Sequence, residues 1–168
     1  EAGDAYKNFD KTGTRGFELE YKFVDKKFNL HLNYSFYQVA KNKVNLYEVP
    51  GNANSLLGLP QHKLNMYAQL KLKNLSISPS IAWMGKRYSN YMADANDSLL
   101  VKEFDPAFNL NLFVRYENLL VKGLTLGAGV YDILDQNPPF LQPYFGGHAP
   151  YPGGGREILF KLEYFFGL

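Results

Sequence analysis

The sequence predicts an all-β chain, the wall of a transmembrane, antiparallel, up-and-down β-barrel. Three observations predict it. About seven stretches alternate apolar and polar residues one for one, and a period of two gives each strand one apolar face. The gaps between stretches run short, long, short, long, as when tight turns line one rim of a barrel and large loops the other. The polar parity is also charged: Glu18, Glu20, Lys22, Lys71, Arg115, Lys161 and Glu163 share the side of the sheet that a water-soluble protein would use as its core.

Taken in order, residues 1–13 are polar and glycine-containing and read as the end of an outer loop. Strand one spans about residues 15–24, with Phe17, Leu19, Tyr21 and Phe23 on its apolar face, and reverses at Asp25-Lys26-Lys27. Strand two sets Phe28, Leu30, Leu32, Tyr34 and Phe36 against Asn29, His31, Asn33 and Ser35. A long connection over about residues 41–61 carries the turn signals Pro50-Gly51 and Gly58-Leu59-Pro60. Strand three places Leu64, Met66, Ala68, Leu70 and Leu72 outward, and Lys73-Asn74 is a tight reversal. Strand four shows Leu75, Ile77, Ile81 and Trp83 against Ser76, Ser78, Ser80 and Ala82. Pro79 interrupts its apolar row, and a residue without an N–H implies a bulge or an unpaired position.

Residues 91–103 read as a small acidic loop. Strand five presents Phe108, Leu110, Leu112, Val114 and Tyr116, with Asn109, Asn111, Arg115 and Glu117 inward. A short turn over 118–123 leads to strand six, where Leu124, Leu126, Ala128 and Val130 oppose Thr125, Gly127 and Gly129. The largest loop, about 132–155, is rich in proline and glycine, and strand seven (Ile158, Phe160, Leu162, Tyr164, Phe166) follows it. Short turns of this kind face the periplasm and long loops face outside, which puts the C-terminus on the periplasmic side. Seven strands leave two open edges that hydrocarbon cannot satisfy, so the expectation is part of a larger barrel.

The totals agree. A net charge of +2 gives no strong electrostatic partner such as nucleic acid. With no cysteine there is no disulfide framework and no thiolate metal site. No apolar run reaches the roughly 18 residues of a membrane-spanning helix, whereas a barrel strand needs only about 9–11 residues and hides half its apolar character in alternation. The chain opens at Glu1 without a Met or a signal region, so the expectation is a mature or excised piece.

Four motifs, in order and at matching spacing over nearly the whole chain, resemble the barrels of TonB-dependent receptors. They are Tyr6-Lys7-Asn8-Phe9-Asp10-Lys11-Thr12-Gly13-Thr14-Arg15-Gly16-Phe17-Glu18-Leu19-Glu20, a loop entering a strand; Leu59-Pro60-Gln61-His62-Lys63-Leu64-Asn65, similar to the Leu-Pro-x-His-x-x-Asn strand entry; Gly129-Val130-Tyr131-Asp132-Ile133-Leu134-Asp135, similar to a Val-x-Asn-Leu-Phe-Asp strand end; and the exit from Pro152 to Arg156 before the last strand. Asp132 stands where that pattern has Asn, Ile133-Leu134 replaces Leu-Phe, and the chain ends Phe166-Gly167-Leu168 instead of on the aromatic. Gln142-Pro143-Tyr144 and Gly146-Gly147-His148-Ala149-Pro150 look most like receptors of the Bacteroidetes type.

The resemblance implies that residues 1–168 are the C-terminal part of a barrel of about 22 strands, with the plug domain absent from this chain. It implies a bacterial outer-membrane location and a non-enzymatic role with no cofactor: import of a scarce nutrient such as an iron chelate, haem, cobalamin or a glycan. The implied partners are outer-membrane lipid, the rest of the same barrel and its plug, TonB through that plug, and the small nutrient itself. Two other readings are a small stand-alone anchoring or adhesion barrel, with residues 1–13 as an eighth strand, and a soluble β-sandwich binding module.

No catalytic constellation emerges. His31, His62 and His148 are far apart in sequence, and His31 is on the lumen parity, where a solvated polar residue is the ordinary state and haem or metal ligation the sharper alternative. Ser76, Ser78 and Ser80 alternate along a strand with no base beside them. Asp94, Asn96, Ser98 and Asp105 follow calcium-loop spacing, but Leu99 takes the glycine position and the last ligand should be Glu. Gly127-Ala128-Gly129 lacks the third glycine and the helix of a dinucleotide site.

The expected ligand contacts are Gln142, Tyr144 and His148 in the last loop, where Tyr144, Phe145 and Tyr151 either stack on a ligand or pin the loop. Tyr21, Phe23, Phe28, Trp83, Tyr116, Tyr164 and Phe166 lie near strand ends, where amphipathic rings suit the headgroup zone.

Overall fold

A computed structural model describes residues 12–43, 47–92, 100–143 and 149–166. Its strands are β1 (Thr12–Val24), β2 (Phe28–Asn42), β3 (His62–Leu72), β4 (Leu75–Met84), β5 (Arg87–Tyr91), β6 (Leu100–Phe104), β7 (Ala107–Glu117), β8 (Leu124–Tyr131) and β9 (Glu157–Tyr164). Seven of them form one antiparallel sheet in the order β1-β2-β3-β4-β7-β8-β9, and β5 and β6 pair separately. The seven are the seven alternating stretches, joined to their neighbours in chain order.

Register keeps every apolar parity on one face: Phe17 lies opposite Phe36, Leu64 opposite Trp83, Leu75 opposite Tyr116, and Leu126 opposite Leu162. Among the described residues no second sheet covers this face, so the sandwich alternative fails. Phe17, Leu19, Tyr21 and Phe23 of β1 and Ile158, Phe160, Leu162 and Tyr164 of β9 are exposed, Phe160 to 80%. In water such rows would be untenable; against acyl chains they cost nothing. Among the described residues the sheet does not close, and β1 and β9 are its edges.

Local chemistry explains the details. Lys73 takes a positive φ (52°) in the two-residue reversal between β3 and β4. At Pro79 the strands pair as Tyr67–Ser80 above and Leu70–Ile77 below, in unchanged register, with no pairs between. The proline has therefore made an unpaired position and not a bulge. The irregularity lies instead between β1 and β2, where Gly13 pairs with Lys41 and Thr14 with Val39, leaving Ala40 extra. On the lumen face the Phe113 ring lies flat across β8: a Cβ at Gly127 or Gly129 would meet it at 2.6 or 2.8 Å, so only glycine fits beneath.

One expectation is overturned. Residues 91–103 are not simply a loop, because β5 and β6 form a hairpin in which Arg87 pairs with Phe104 and Tyr91 with Leu100. Each strand is five residues long; β5 is polar on both parities and Lys102 interrupts Leu100 and Phe104 in β6, so neither presents the unbroken apolar face by which the other seven announce themselves.

Conventional burial is concentrated beyond the long-loop rim. Val49, Ser55, Leu56, Leu57, Arg87, Ser89 and Asp132 are buried there, whereas the wall between the rims contributes Ala68 and Thr125.

Candidate functional site in the outer loops

Three outer segments meet at that rim, with the β5–β6 hairpin in the middle. Toward the first loop, the amide of Gly58 donates to the carbonyl of Tyr88 (2.6 Å), and Asn52 Nδ2 donates to the Tyr88 hydroxyl (3.2 Å). That hydroxyl in turn donates to Glu103 Oε2 (2.8 Å). Toward the last loop, Ser89 Oγ donates to the carbonyl of Gln142 (2.9 Å) and Arg87 Nη1 to that of Pro139 (3.3 Å). First and last loops also touch directly, since a Cβ on Gly58 would meet Pro143 at about 3.0 Å. Alternation along β5 sorts these contacts: Arg87 and Ser89 face the last loop, and Tyr88 faces the first.

The electrostatics are uneven. Lys86 and Glu103 form an exposed ion pair across the hairpin. Hydrogen bonds from Lys86 and then Tyr88 hold the Glu103 carboxyl below its ordinary range, and Glu103 raises Lys86. Arg87 is different. It is 5% exposed, its Nε has no partner, and among the described residues no carboxylate pairs with it. Burial lowers its pKa from the ordinary value. A guanidinium held this way is poised for an acceptor. On the exposed part of the hairpin, Lys102 Nζ sits 4.5 Å from the centre of the Tyr91 ring.

The base of the last loop is built by polar side chains. The Asp132 amide donates to Asn111 Oδ1 (2.9 Å), and Asp132 Oδ2 accepts from the amide of Asn137 (3.2 Å). Asp135 Oδ1 accepts from the amide of Arg156 (3.1 Å), joining the loop's two ends. Asp132, Asp135 and Asn137 all adopt positive φ, a conformation that Asn and Asp tolerate better than most residues. Asp132 at the Asn position of the resembled motif keeps the turn, but its Oδ1 is buried without a partner.

Of the expected ligand residues, Gln142 is at the hairpin contact through its backbone carbonyl. Tyr144 and His148 lie outside the described residues, as do Phe145 and the calcium-spaced Asp94, Asn96 and Ser98. Among the described residues no group of three His, Cys, Asp or Glu side chains is placed to hold a metal. His31 Nε2 lies 2.7 Å from Glu20 Oε1 on the lumen face, as an ordinary polar pair. His62 Nδ1 lies 2.7 Å from the Tyr34 hydroxyl, within a cluster formed with Phe36 and Trp83.

The expected interface aromatics lie at two levels of the sheet. Tyr21, Phe23, Phe28, Tyr116, Tyr164 and Phe166 are on the apolar face toward the short-turn rim, with Phe23 and Phe28 in ring contact at 6.1 Å and Tyr164 and Phe166 at 4.5 Å. Trp83 lies toward the opposite rim beside His62. The hairpin residues Arg87, Tyr88 and Ser89 were not expected. Their short strands carry no apolar row that would have signalled them in the sequence.

The chain is similar in structure to solved outer-membrane receptors. The ferric-catecholate import receptor Fiu from E. coli K12 is 15% identical with a TM-score of 0.74, covering 99% of this chain and 23% of that one. The ferripyoverdine receptor of Pseudomonas aeruginosa is 17% identical at a TM-score of 0.69, covering 90% and 19%. The siderophore receptor PiuA of Acinetobacter baumannii is 15% identical at 0.69, covering 91% and 22%. The chain thus spans about a fifth of the length of the structures it matches. No curated protein sequence matches it. Residues 2–133 match the family described as "TonB dependent receptor-like, beta-barrel". The open seven-stranded wall with its sorted loops is therefore a portion of an outer-membrane β-barrel, and the chain belongs to the TonB-dependent receptor β-barrel family.

Proposed function

We propose that residues 1–168 are the C-terminal part of a receptor barrel that imports a scarce nutrient across the outer membrane, energised through a plug domain and TonB. Iron held by a siderophore is the preferred cargo, since the similar structures are named for ferric-catecholate, ferripyoverdine and siderophore uptake; haem, cobalamin and glycans are the other nutrients of the class. This segment supplies wall, lumen lining and three outer loops, and performs no covalent chemistry.

The observation that carries the reading is the packing of the outer segments into one buried unit around the β5–β6 hairpin, with an Arg87 inside it that, among the described residues, has no carboxylate partner and no acceptor for its Nε. Loops that only capped a pore would have no need of a core. Gln142, Tyr144 and His148 on the neighbouring loop are proposed to touch the nutrient.

The test uses the full receptor in cells that depend on it for iron. Uptake of radiolabelled ferric siderophores is compared between the native receptor, one with residues 87–104 replaced by a short glycine-serine link, and Tyr144→Ala/His148→Ala. Native-level uptake by both variants, at equal surface amounts, would overturn the assignment of the binding site to these loops.

A further inference from the structure

The short turn between β7 and β8 carries a feature that neither the fold nor the proposed cargo calls for. Its tip is apolar, Leu119-Leu120-Val121, and Leu120 is 91% exposed with Val121 at 52%. Leu120 also has a φ of 64°, and the amide of Val121 donates to the carbonyl of Leu119 at 2.7 Å. That is the positive-φ form of the γ-turn, a rare and strained conformation, here at a side chain that gains nothing from the rest of the protein.

The strain is held from both sides. Asn118, itself at φ 56°, accepts the amide of Gly123 on its Oδ1 (2.8 Å), and the amide of Leu119 donates to the carbonyl of Leu124 (2.9 Å). The amide of Phe165 donates to the carbonyl of Gly123 (3.0 Å), tying the turn to the end of β9. The exposure is not a consequence of an unpaired edge, because β7 and β8 are both interior strands of the sheet.

We propose that this turn is a membrane foot: Leu120 and Val121 enter the periplasmic phospholipid leaflet while Lys122 engages its phosphates. Two observations select lipid as the occupant. First, the tip is continuous with a surface already facing acyl chains. Tyr116 precedes it, Leu124 follows it opposite Tyr164 of the neighbouring strand, and the Phe166 ring just beyond that strand packs on Tyr164. The headgroup zone on one side of a bilayer is only about 5–8 Å deep, and two left-handed residues within three positions keep the loop compact at that depth.

Second, the charge of the rim complements anionic phosphate. The three short turns carry Lys26, Lys27, Lys73 and Lys122 against a single aspartate. That aspartate, Asp25, is turned back onto the amide of Lys27 (3.5 Å), and the nearby Glu117 is paired with Arg115 (3.2 Å). An apolar tip beside a lysine is the composition of an interfacial anchor. The inference rests on the outer-membrane location and is independent of the cargo.

The full receptor is reconstituted in phosphatidylethanolamine–phosphatidylglycerol vesicles with Leu120→Cys carrying an environment-sensitive nitrobenzoxadiazole label; the present chain contributes no competing cysteine. Lipids brominated on the upper acyl chain are expected to lower its emission, as for a group buried at the headgroup boundary, while aqueous iodide leaves it nearly unchanged. With the label moved to position 121, Leu120→Gly removes the apolar tip but suits the positive φ, and Lys122→Glu reverses the charge. Each is expected to restore iodide access without loss of folded barrel. Full iodide quenching with no effect of brominated lipid would overturn the proposal. So would protection that appears only when a periplasmic extract is added, since the occupant would then be a protein.

Discussion

The wall and the outer loops of this chain are built for different solvents. Between its rims the wall buries hardly any side chain against protein; it is held by a succession of antiparallel ladders, and among the described residues no other element covers its apolar face. Beyond the long-loop rim the same chain does the opposite, hiding Val49, Leu56 and Leu57 from water as a small soluble domain would. The contrast shows that hydropathy has to be read against its surroundings. Phe160 is exposed and well placed, while Arg87 is buried with its Nε unsatisfied among the described residues.

The comparison can be broken or sharpened by substitution. The largest effect is expected in the loop core, where Leu57→Ala removes a side chain that is nearly fully buried. It should cost about 2–5 kcal/mol of local stability. Hydrogen exchange should show loop amides losing protection while those of β3 and β4 keep theirs; equal loss in both would mean that the two regions form one cooperative unit.

A charge on the lipid face comes next. Leu112, opposite Pro79, sits about midway between the levels of Trp83 and Tyr116. Leu112→Arg should destabilise the barrel by about 2–4 kcal/mol, whereas Ser78→Arg on the lumen face should cost far less, because lipid-facing charge is penalised most near the midplane. Denaturant unfolding in lipid vesicles measures both, and similar costs would mean that the faces are assigned wrongly.

A smaller effect is expected at Gly127→Ala, whose Cβ would meet the Phe113 ring at 2.6 Å. Overpacking of that kind costs about 1–3 kcal/mol, and Phe113→Leu in the same chain should recover part of it.

The smallest effect is that of pH on the hairpin. Glu103 is held below its ordinary value, so its contribution is complete above the unfolded-state pKa of about 4.3 and fades as pH falls through the lower folded value. Lys86 is raised, so its share is present below about 10.4 and lost as pH rises through the higher folded value. Both groups are exposed, so the change is slight, and Glu103→Gln should flatten the acid limb in exchange rates of the β5–β6 amides.

The wall was legible in the sequence because each strand has one apolar and one polar face, which enforces a strict period of two, as in Phe17 to Phe23 and Ile158 to Phe166. The turn at Lys73 and the pairing gap at Pro79 followed from local chemistry. The hairpin was not legible, since Arg87 and Ser89 look like solvent-facing residues and are buried by segments about 50 positions away. Burial by distant loops leaves no local period. Gln142 entered the expected site by its place in a loop, but the contact it makes is through its backbone, which no side-chain pattern encodes.

The tie that Tyr88 and Ser89 make between Asn52 and Gln142 has an immunological consequence. Any epitope on this rim would be discontinuous, assembled from three stretches of chain that are remote from one another in sequence. A peptide copied from any one stretch would not reproduce it, so antibodies raised against such peptides should recognise the denatured chain and miss the living bacterium. Escape by change in one stretch would in turn be restrained by the need to keep gripping the other two.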